Sequence, residues 1–361
     1  MDTSVYKCPS CKGDLPFNPV TQKWQCPYCG QSWTLKDLQQ GDVETKSTTP
    51  PPLNAAPPPY SKKKPEKEIF IDSYIYHCKN CGAEMLTDET TTSSFCPYCG
   101  ASGILKDRFT GSFKPGKIIP FRTSKDQAIK KFESLRRRHP LAPSDFSSKK
   151  NIEKISGIYA PFWLYSGNVD GSVVFDAEII TTWSSGNYDY TKTDKYKVYR
   201  KGNYKFIRVP ADGSTKLDDD TMDSIEPFDY NDLTDFNASY ISGFLSEKYD
   251  VSDDDNKNRI STRLSNSLIE YMRNTVSSYS TVNKSTVKEL KKDFSDVEYV
   301  LLPVWLLNIK YKKEIRTFAM NGQTGKIVGN FPVDIKKTLV WSFGMLTVLF
   351  GVFALLAKIF F

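Results

Sequence analysis

Cysteine is the residue type in this sequence whose spacing points most directly to chemistry. A Cys-x-x-Cys pair is followed, after fourteen residues, by a second such pair, and this arrangement occurs twice in the chain. The eight candidate metal ligands are Cys8, Cys11, Cys26 and Cys29 in the first group and Cys78, Cys81, Cys96 and Cys99 in the second. Fourteen residues are enough for a short hairpin that brings four sulfurs around one ion. The spacing predicts two zinc ribbons, each holding one structural Zn²⁺.

Disulfides and redox-active thiols are the alternatives to zinc. Disulfides do not suit the cytoplasmic location inferred below. A redox-active pair usually opens a helix in a βαβ unit, whereas Cys26 and Cys96 precede the turn-forming Gly30 and Gly100. Four thiolates would close each site, so we expect no open position for a hydrolytic water and no spare catalytic thiol.

The two histidines offer little catalytic chemistry. His77 is next to Cys78 and is an alternative ligand, but the four-sulfur set is complete without it. His139 follows a run of arginines at the end of a predicted helix, where positive charge suits the helix dipole. We therefore predict no catalytic residues, no site for an organic cofactor and no small-molecule substrate, and we expect that the protein is not an enzyme.

A long apolar stretch near the end of the sequence indicates where the cysteine groups lie in the cell. Twenty residues without a charge separate Lys337 from Lys358, enough for a helix about 30 Å long. A buried core helix is the alternative, but core helices of this length usually have a polar face. Trp341 near one end and Lys358 at the other suit the two membrane interfaces. Residues 338–361 are therefore predicted to form a transmembrane helix.

The flanks of this span predict its orientation. Lys336 and Lys337 precede it directly, so the positive-inside rule places the rest of the chain in the cytoplasm. The first residues carry no basic region followed by an apolar run, so we expect no signal peptide. The predicted protein is single-pass and tail-anchored in the cell membrane, with most of its chain cytoplasmic.

The predicted fold class is α+β, divided into five segments. They are zinc ribbon 1 (1–40), a Pro/Lys-rich disordered linker (41–68), zinc ribbon 2 (69–110), a cytoplasmic α+β domain (111–337) and the transmembrane helix (338–361). We expect each ribbon to fold around its own metal independently of the α+β domain.

Periodicity within the α+β domain predicts a mainly antiparallel sheet covered by helices. Ser124 is a candidate cap for a first helix, and further helices are predicted at 233–249 and 259–279. Strands are predicted at 173–183 and 196–209, and a hairpin around Lys312. Pro161 and Pro303 share the pattern Pro-x-Trp-Leu, and each is expected at a strand start.

Charge does not mark a strongly basic chain. The 49 basic and 42 acidic residues give a formal charge of +7, which eight thiolates holding two Zn²⁺ would lower. Between Asp212 and Asp255, fourteen acidic residues face two lysines, which predicts a solvated, partly disordered segment. The basic residues Lys130, Lys131 and Arg136 to Arg138 are expected on a solvated helix face, with acidic lipid or RNA as alternative ligands.

Several motifs together resemble a known family. They are the two ribbons with their CPYCG turns, PFWLY at 161–165, YVLLPVWLLNIKY at 299–311 and FAMNGQTGKIVG at 318–329. The chain is similar to bacterial membrane proteins with tandem transcription-factor-IIB-type zinc ribbons and a C-terminal transmembrane helix. Such proteins are often labelled helicase-like, but this sequence has no P-loop. The resemblance implies a scaffold that recruits envelope-stress or flotillin-like proteins.

The sequence thus favours a membrane-anchored scaffold that binds protein partners. The alternative is a zinc-ribbon protein that binds nucleic acid at the membrane, through the basic residues named above. An enzyme would need a convergent pocket that no motif indicates.

Overall fold

The structure is a computed structural model in which the chain forms two compact units. It describes residues 6–40, 74–87, 96–99, 101, 104–108, 115–312 and 314–360. Unit 1 comprises Met1–Ala160, Lys216–Lys248 and Leu301–Phe361, and unit 2 comprises Pro161–Thr215 and Tyr249–Val300. The predicted linker, 41–68, lies outside the described residues.

Ribbon 1 is built from very short strands and one helix. These are β1 (Tyr6–Lys7), β2 (Asp14–Leu15), β3 (Phe17–Asn18), β4 (Lys23–Gln25), β5 (Ser32–Trp33) and α1 (Leu35–Gln40). β1 pairs with β2, and β4 lies between β3 and β5. Trp24 is 1% exposed and packs on Phe17 with ring centroids 5.0 Å apart. Such small strands bury little apolar area, which is why we expect ribbon 1 to need a metal.

Ribbon 2 contributes the next three strands, and the larger elements follow it. The ribbon strands are β6 (Tyr74–Cys78), β7 (Glu84–Thr87) and β8 (Ile104–Arg108). The remaining strands are β9 (Lys117–Ile118), β10 (Ser156–Ser185), β11 (Tyr188–Asp212), β12 (Thr234–Asp235), β13 (Leu245–Glu247), β14 (Thr281–Tyr311), β15 (Glu314–Asn321) and β16 (Ile327–Gly329). The helices are α2 (Lys125–Arg137), α3 (Lys149–Ile152), α4 (Asp219–Ser224), α5 (Asp253–Asn274) and α6 (Ile335–Phe360).

One sheet joins ribbon 2 to the α+β part of unit 1. Its strand order is β12-β9-β14-β10-β13-β7-β6-β8, and β15 and β16 extend it beside β14. β10 runs parallel to β13, where Ile158 faces Leu245. The pairs β12–β9, β13–β7, β6–β7, β6–β8, β14–β15 and β15–β16 are antiparallel. β7 pairs with β13 through Leu86 and Ser246. Ribbon 2 is therefore continuous with the main sheet, which differs from the expected independent module.

Aromatic side chains fill the core of unit 1. Phe121 stacks on Phe244 at 4.2 Å, and it contacts Tyr159 and Trp305 edge-on at 5.0 and 5.1 Å. At the end of β15, Asn321 is fully buried, and its Nδ2 donates to the carbonyl of Ile225 at 3.1 Å. This hydrogen bond satisfies a buried amide that would otherwise be costly.

Unit 2 is a long hairpin covered by a helix. β10 and β11 pair without interruption from Gly167 to Ser185, after a bulge at Tyr165. The residues at four-residue intervals on α5, which are Ile260, Leu264, Leu268 and Met272, are all buried. They join Val173 and Phe175 in one apolar core. The predicted strands and this helix are confirmed, and the helix begins earlier than expected because Ser252 caps it with a capping box completed by Asp255.

One predicted helix cap and one predicted hairpin are confirmed, and one predicted helix is wrong. Ser124 caps α2, as predicted, and Gln127 completes a capping box that was not predicted. The hairpin near Lys312 is present, since Tyr311 faces Glu314 across β14 and β15. The helix predicted at 233–249 is wrong: this segment holds β12, a short 3-10 turn and β13. Asn237 caps the turn through the Ser239 amide at 2.9 Å, and Gly243 adopts a φ of +84° that ends it.

The positions of two prolines also differ from the expectation. Pro161 and Pro303 lie inside β10 and β14 instead of at a strand start. Their carbonyls accept the amides of Gly213 and Gly322, each at 2.8 Å, so each proline keeps one ladder bond.

The prediction that 212–255 is partly disordered is wrong, because the segment holds α4, β12, β13 and the start of α5. Most of its carboxylates are solvated, as predicted, and two of them are buried. Asp212 is only 2% exposed and forms an ion pair with Arg259 at 2.6 Å within unit 2. Glu247 is 3% exposed within unit 1. The carboxylates at these two positions are buried with partners, so they are structural groups as well as a source of net charge.

α6 is the apolar C-terminal helix. It spans Ile335–Phe360, 26 residues, and its large apolar side chains from Leu339 to Phe353 are more than half exposed. Within the described part of the chain it is the one helix long and apolar enough to cross a membrane, and its apolar window is not buried inside the protein. Asp334 caps it by accepting the Lys336 amide at 2.9 Å.

Candidate metal centres

The structure gathers both predicted cysteine groups into clusters of four sulfurs. In ribbon 1 the Sγ atoms of Cys8 and Cys29 are 3.6 Å apart, and those of Cys11 and Cys26 are 3.4 Å apart. In ribbon 2 the pairs Cys78–Cys99 and Cys81–Cys96 are each separated by 3.6 Å. All four sulfurs in each group lie within 4.8 Å of one another.

These separations fit a metal centre better than a disulfide. Tetrahedral Zn–S bonds of about 2.3 Å place sulfurs about 3.8 Å apart, whereas a disulfide bond is about 2.05 Å. All eight side chains are free thiols. The two groups are therefore geometrically suited to one metal ion each, and four sulfur ligands are consistent with structural zinc.

Each Cys-x-x-Cys turn is closed by the same backbone hydrogen bonds. The amide of the first cysteine donates to a carbonyl five residues later, as Cys8 does to Gly13 at 2.7 Å and Cys78 to Ala83 at 2.9 Å. In ribbon 2, Gly82 donates back to Cys78 at 2.9 Å. This turn directs two sulfurs to the same side, which is the local reason that the spacing works.

Electrostatics within the clusters call for a cation. Burial alone would raise the pKa of Cys78, but the amides of Cys81 and Asn80 and the neighbouring thiols donate to its thiolate and lower this pKa to about 7. The same balance lowers the pKa of Cys8 to about 6. The Gly13 amide lowers the pKa of Cys11, yet the neighbouring sulfurs raise it overall to about 12. Since four thiolates repel one another, all four ionise together only around a cation.

Comparison with known proteins extends the picture beyond the ribbons. No family model matches the chain, and no solved structure does. The chain is 32% identical over 340 residues to "Uncharacterized protein YdjG" of Bacillus subtilis (strain 168). The match covers 94% of this chain and 93% of that protein. The chain belongs to the YdjG family. At that coverage the likeness to YdjG includes most of both units, not the metal-binding segments alone.

The two ribbons of this YdjG-family chain use the same CPYC turn in different surroundings. In ribbon 2, Tyr98 donates a hydrogen bond to the buried Glu247 carboxylate at 2.7 Å. Asn308 of β14 donates to the carbonyls of Pro97 and Tyr98 at 2.5 and 2.6 Å. The corresponding Tyr28 of ribbon 1 is 76% exposed. One metal turn is thus covered by the main sheet, and the other presents its aromatic side chain to solvent.

Ribbon 1 also contacts the rest of unit 1, but through residues other than Tyr28. Tyr240 packs on Phe17 and on Trp24, with ring centroids 5.1 Å apart in both cases. Gln22 donates to the carbonyl of Phe121 at 2.7 Å. Ribbon 1 is thereby held in place while Tyr28 stays accessible.

The eight clustered cysteines were predicted from the sequence, whereas the groups that hold the ribbons were not. Asn308, Glu247 and Tyr240 lie far from the cysteines in sequence and carry no ligand spacing. Neither histidine belongs to a sulfur cluster of the described residues: His77 Nδ1 lies 3.2 Å from Glu84, and His139 stacks on Phe331 at 5.0 Å.

Proposed function

We propose that this YdjG-family chain is a non-enzymatic scaffold, anchored in the cell membrane by α6, that binds protein partners through its zinc ribbons and α+β domain. The proposal combines three features of the chain: an apolar terminal helix, two closed metal centres and an exposed ribbon face. The family resemblance suggests envelope-stress or flotillin-like proteins as the partners.

The membrane assignment is supported by length, exposure and charge. At about 1.5 Å per residue, the 26 residues of α6 extend about 39 Å, more than the roughly 30 Å hydrocarbon core. A soluble protein would not leave so many large side chains exposed along one helix. Lys336 and Lys337 before the apolar stretch favour a cytoplasmic location for the remainder, so the chain would be single-pass and tail-anchored.

The metal assignment is structural Zn²⁺ in both ribbons. When bound, the ion would supply folding free energy to strands that have little core of their own. The four cysteines of each ribbon would fill the tetrahedral coordination sphere, which leaves no position for a reacting water. A closed centre suits a module that holds a surface in shape.

The observation that carries the proposal is the contrast between Tyr28 and Tyr98. Tyr98 is buried and donates a hydrogen bond to Glu247, whereas Tyr28 is 76% exposed. Val20, in the same ribbon, is 56% exposed. Exposed aromatic side chains on a rigid support supply much of the binding energy in protein interfaces. The solvent-facing side of ribbon 1 is therefore our candidate partner-binding surface.

A crosslinking pull-down of the full-length chain from native membranes tests the proposal. The variant Tyr28→Ser/Val20→Ser changes the candidate surface, and Tyr188→Ser, which alters a 72% exposed tyrosine of unit 2, is the matched control. We expect quantitative mass spectrometry to show a small set of partner proteins that is lost at least about tenfold in the first variant and retained in the control. Both variants must keep the wild-type metal content.

Two outcomes would contradict the scaffold. If the partners are equally abundant with both variants, ribbon 1 is not the binding surface. If nuclease treatment removes the recovered material, the alternative function, nucleic-acid binding at the membrane, is favoured instead.

A further inference from the structure

Four cations meet in one groove at the start of α6. The groove has a volume of 540 Å³ and lies between the end of α2 and the first turns of α6. Its lining includes Arg136, Arg137, Lys336, Lys337, Val340 and Trp341. We refer to it as the basic groove. The volume is enough to hold a lipid headgroup, and its wall changes from cationic to apolar along α6.

The groove is held by contacts between α2 with the segment that follows it and α6 with the segment that precedes it. The amide of Asp334 donates to the carbonyl of Leu141 at 2.9 Å, and Lys337 Nζ donates to the carbonyl of Ala142 at 2.7 Å. Phe331 packs against Phe132 of α2 at 5.8 Å and against His139 at 5.0 Å. These contacts fix the base of α6 beside the end of α2, so the cations are preorganised.

The charge in the groove is not neutralised by the protein. Across the described ranges, no carboxylate forms an ion pair with Arg136, Arg137, Lys336 or Lys337. Arg136 Nε is buried there without a hydrogen-bond partner. Two carboxylates are near these cations in sequence. Asp334 Oδ1 already accepts the amides of Lys336 and Lys337 at 2.9 and 3.4 Å. Glu133, one turn before Arg136 and Arg137 on α2, is exposed and forms no ion pair with either arginine in the described part of the chain.

The dipole of α2 does not cancel this charge. Its C-terminal end amounts to about half a negative charge, against four full positive charges. Leaving a buried guanidinium nitrogen unsatisfied is costly, so an acceptor oxygen in the groove would be favourable.

We infer that the basic groove binds the headgroup of an anionic phospholipid. Arg136 and Lys337 would hold the phosphate, and Val340 and Trp341, 72% and 57% exposed, would lie against the glycerol and upper acyl chains. Trp341 follows Lys337 by four residues, about 6 Å along the helix, which matches the step from headgroup to hydrocarbon. The site is continuous with the apolar surface of α6, and this favours a lipid over a free anion.

This inference rests on the membrane placement proposed above, so the test separates the two. Flotation of the full-length chain with vesicles of phosphatidylcholine alone reports the anchor. Native mass spectrometry of the full-length chain in mild detergent, titrated with phosphatidylglycerol or with phosphatidylcholine of the same acyl chains, reports the groove. Failure to float would overturn the anchor, whereas flotation without an anionic preference would overturn the groove alone.

The decisive test compares two double variants that each remove two positive charges, one variant inside the groove and the other outside it. We expect Arg136→Gln/Lys336→Gln to lower phosphatidylglycerol affinity about thirty-fold and to leave phosphatidylcholine binding unchanged. The control Lys130→Gln/Lys131→Gln removes two exposed charges from the same helix, outside the groove lining, and should lower the affinity less than about threefold.

Three results would overturn the inference. They are equal binding of the two lipids by the wild-type chain, equal losses in the groove and control variants, and displacement of phosphatidylglycerol by equimolar inorganic phosphate. The last result would show a free-anion site in place of a lipid site. If the double variant unfolds, as judged by its thermal transition, the single variant Lys336→Gln, at an exposed position, is measured in its place.

Discussion

At the residue scale, the turns that follow the Cys-x-x-Cys pairs differ in the residue that adopts a left-handed backbone conformation. It is glycine in two of these turns and lysine in a third. Gly30 and Gly82 follow a Cys-x-x-Cys pair and adopt φ values of +74° and +70°. Lys12 holds the matching position of ribbon 1, and its φ is +62°. A left-handed conformation costs a residue with a Cβ about 1 kcal/mol relative to glycine.

We predict that Lys12→Gly stabilises ribbon 1. Relief of the left-handed conformation should slow chelator-induced metal release from one of the two sites by about threefold to fivefold. The reciprocal variant Gly30→Lys should accelerate release, and since a Cβ at Gly30 would meet nothing within 4 Å, its effect is conformational and not a clash. Release rates that are unchanged or reversed in order would contradict this explanation.

The ligands themselves were predictable from sequence because metal-binding geometry is local. Two residues between paired cysteines fix the turn, and fourteen more permit the hairpin that returns. The different fates of Tyr28 and Tyr98 were not predictable, because both stand in the same CPYC motif. Exposure depends on Glu247 and Asn308, which are distant in sequence.

At the element scale, the spacing of apolar residues predicted α5 correctly but predicted a helix at 233–249 wrongly. Ile260, Leu264, Leu268 and Met272 recur every four residues, and all are buried on one face of α5. The segment 233–249 contains apolar residues at similar intervals, but the cap at Asn237 and the turn at Gly243 interrupt any helix. The turn-forming residues Asn237 and Gly243 therefore prevent the helix that the apolar spacing predicts.

The pairing of β7 with β13 connects metal binding in ribbon 2 to the main sheet. Ribbon 1 has no strand in that sheet among the described residues, and it contacts the rest of unit 1 through side chains such as Phe17 and Trp24, which pack on Tyr240. The consequences of losing the two metals should therefore differ.

We predict that Cys78→Ser raises amide hydrogen exchange at Leu245–Glu247 at least about tenfold, because the strand beside β13 loses its support. Cys8→Ser should leave exchange there unchanged and raise it in β1 to β5. Exchange mass spectrometry of the two full-length variants makes the comparison. Equal protection of β13 in both variants would mean that ribbon 2 folds independently of the sheet.

At the scale of the whole molecule, the sequence indicated the fold class and not the strand order. The α+β composition and a largely antiparallel sheet follow from alternating patterns. The neighbours β14 with β10, and β7 with β13, join segments far apart in the chain. Such pairings leave no local trace, and each of β10 and β14 contributes to both units.

In the proposed function, two metal centres lie in the cytoplasmic part of a chain that α6 anchors in the membrane. Ribbon 2 is built into the sheet of unit 1, and ribbon 1 presents an aromatic face. The proposal requires that both sites are closed four-sulfur zinc sites.

The most direct test of this central claim is the metal content and coordination of the full-length chain, purified in mild detergent without added metal. Elemental analysis with X-ray absorption spectroscopy should give two zinc ions per chain, each with four sulfur ligands at about 2.3 Å. Loss of one ion in Cys8→Ser and of the other in Cys78→Ser would assign them. Fewer than two metal ions, nitrogen or oxygen in the coordination sphere, or iron in place of zinc would contradict the account.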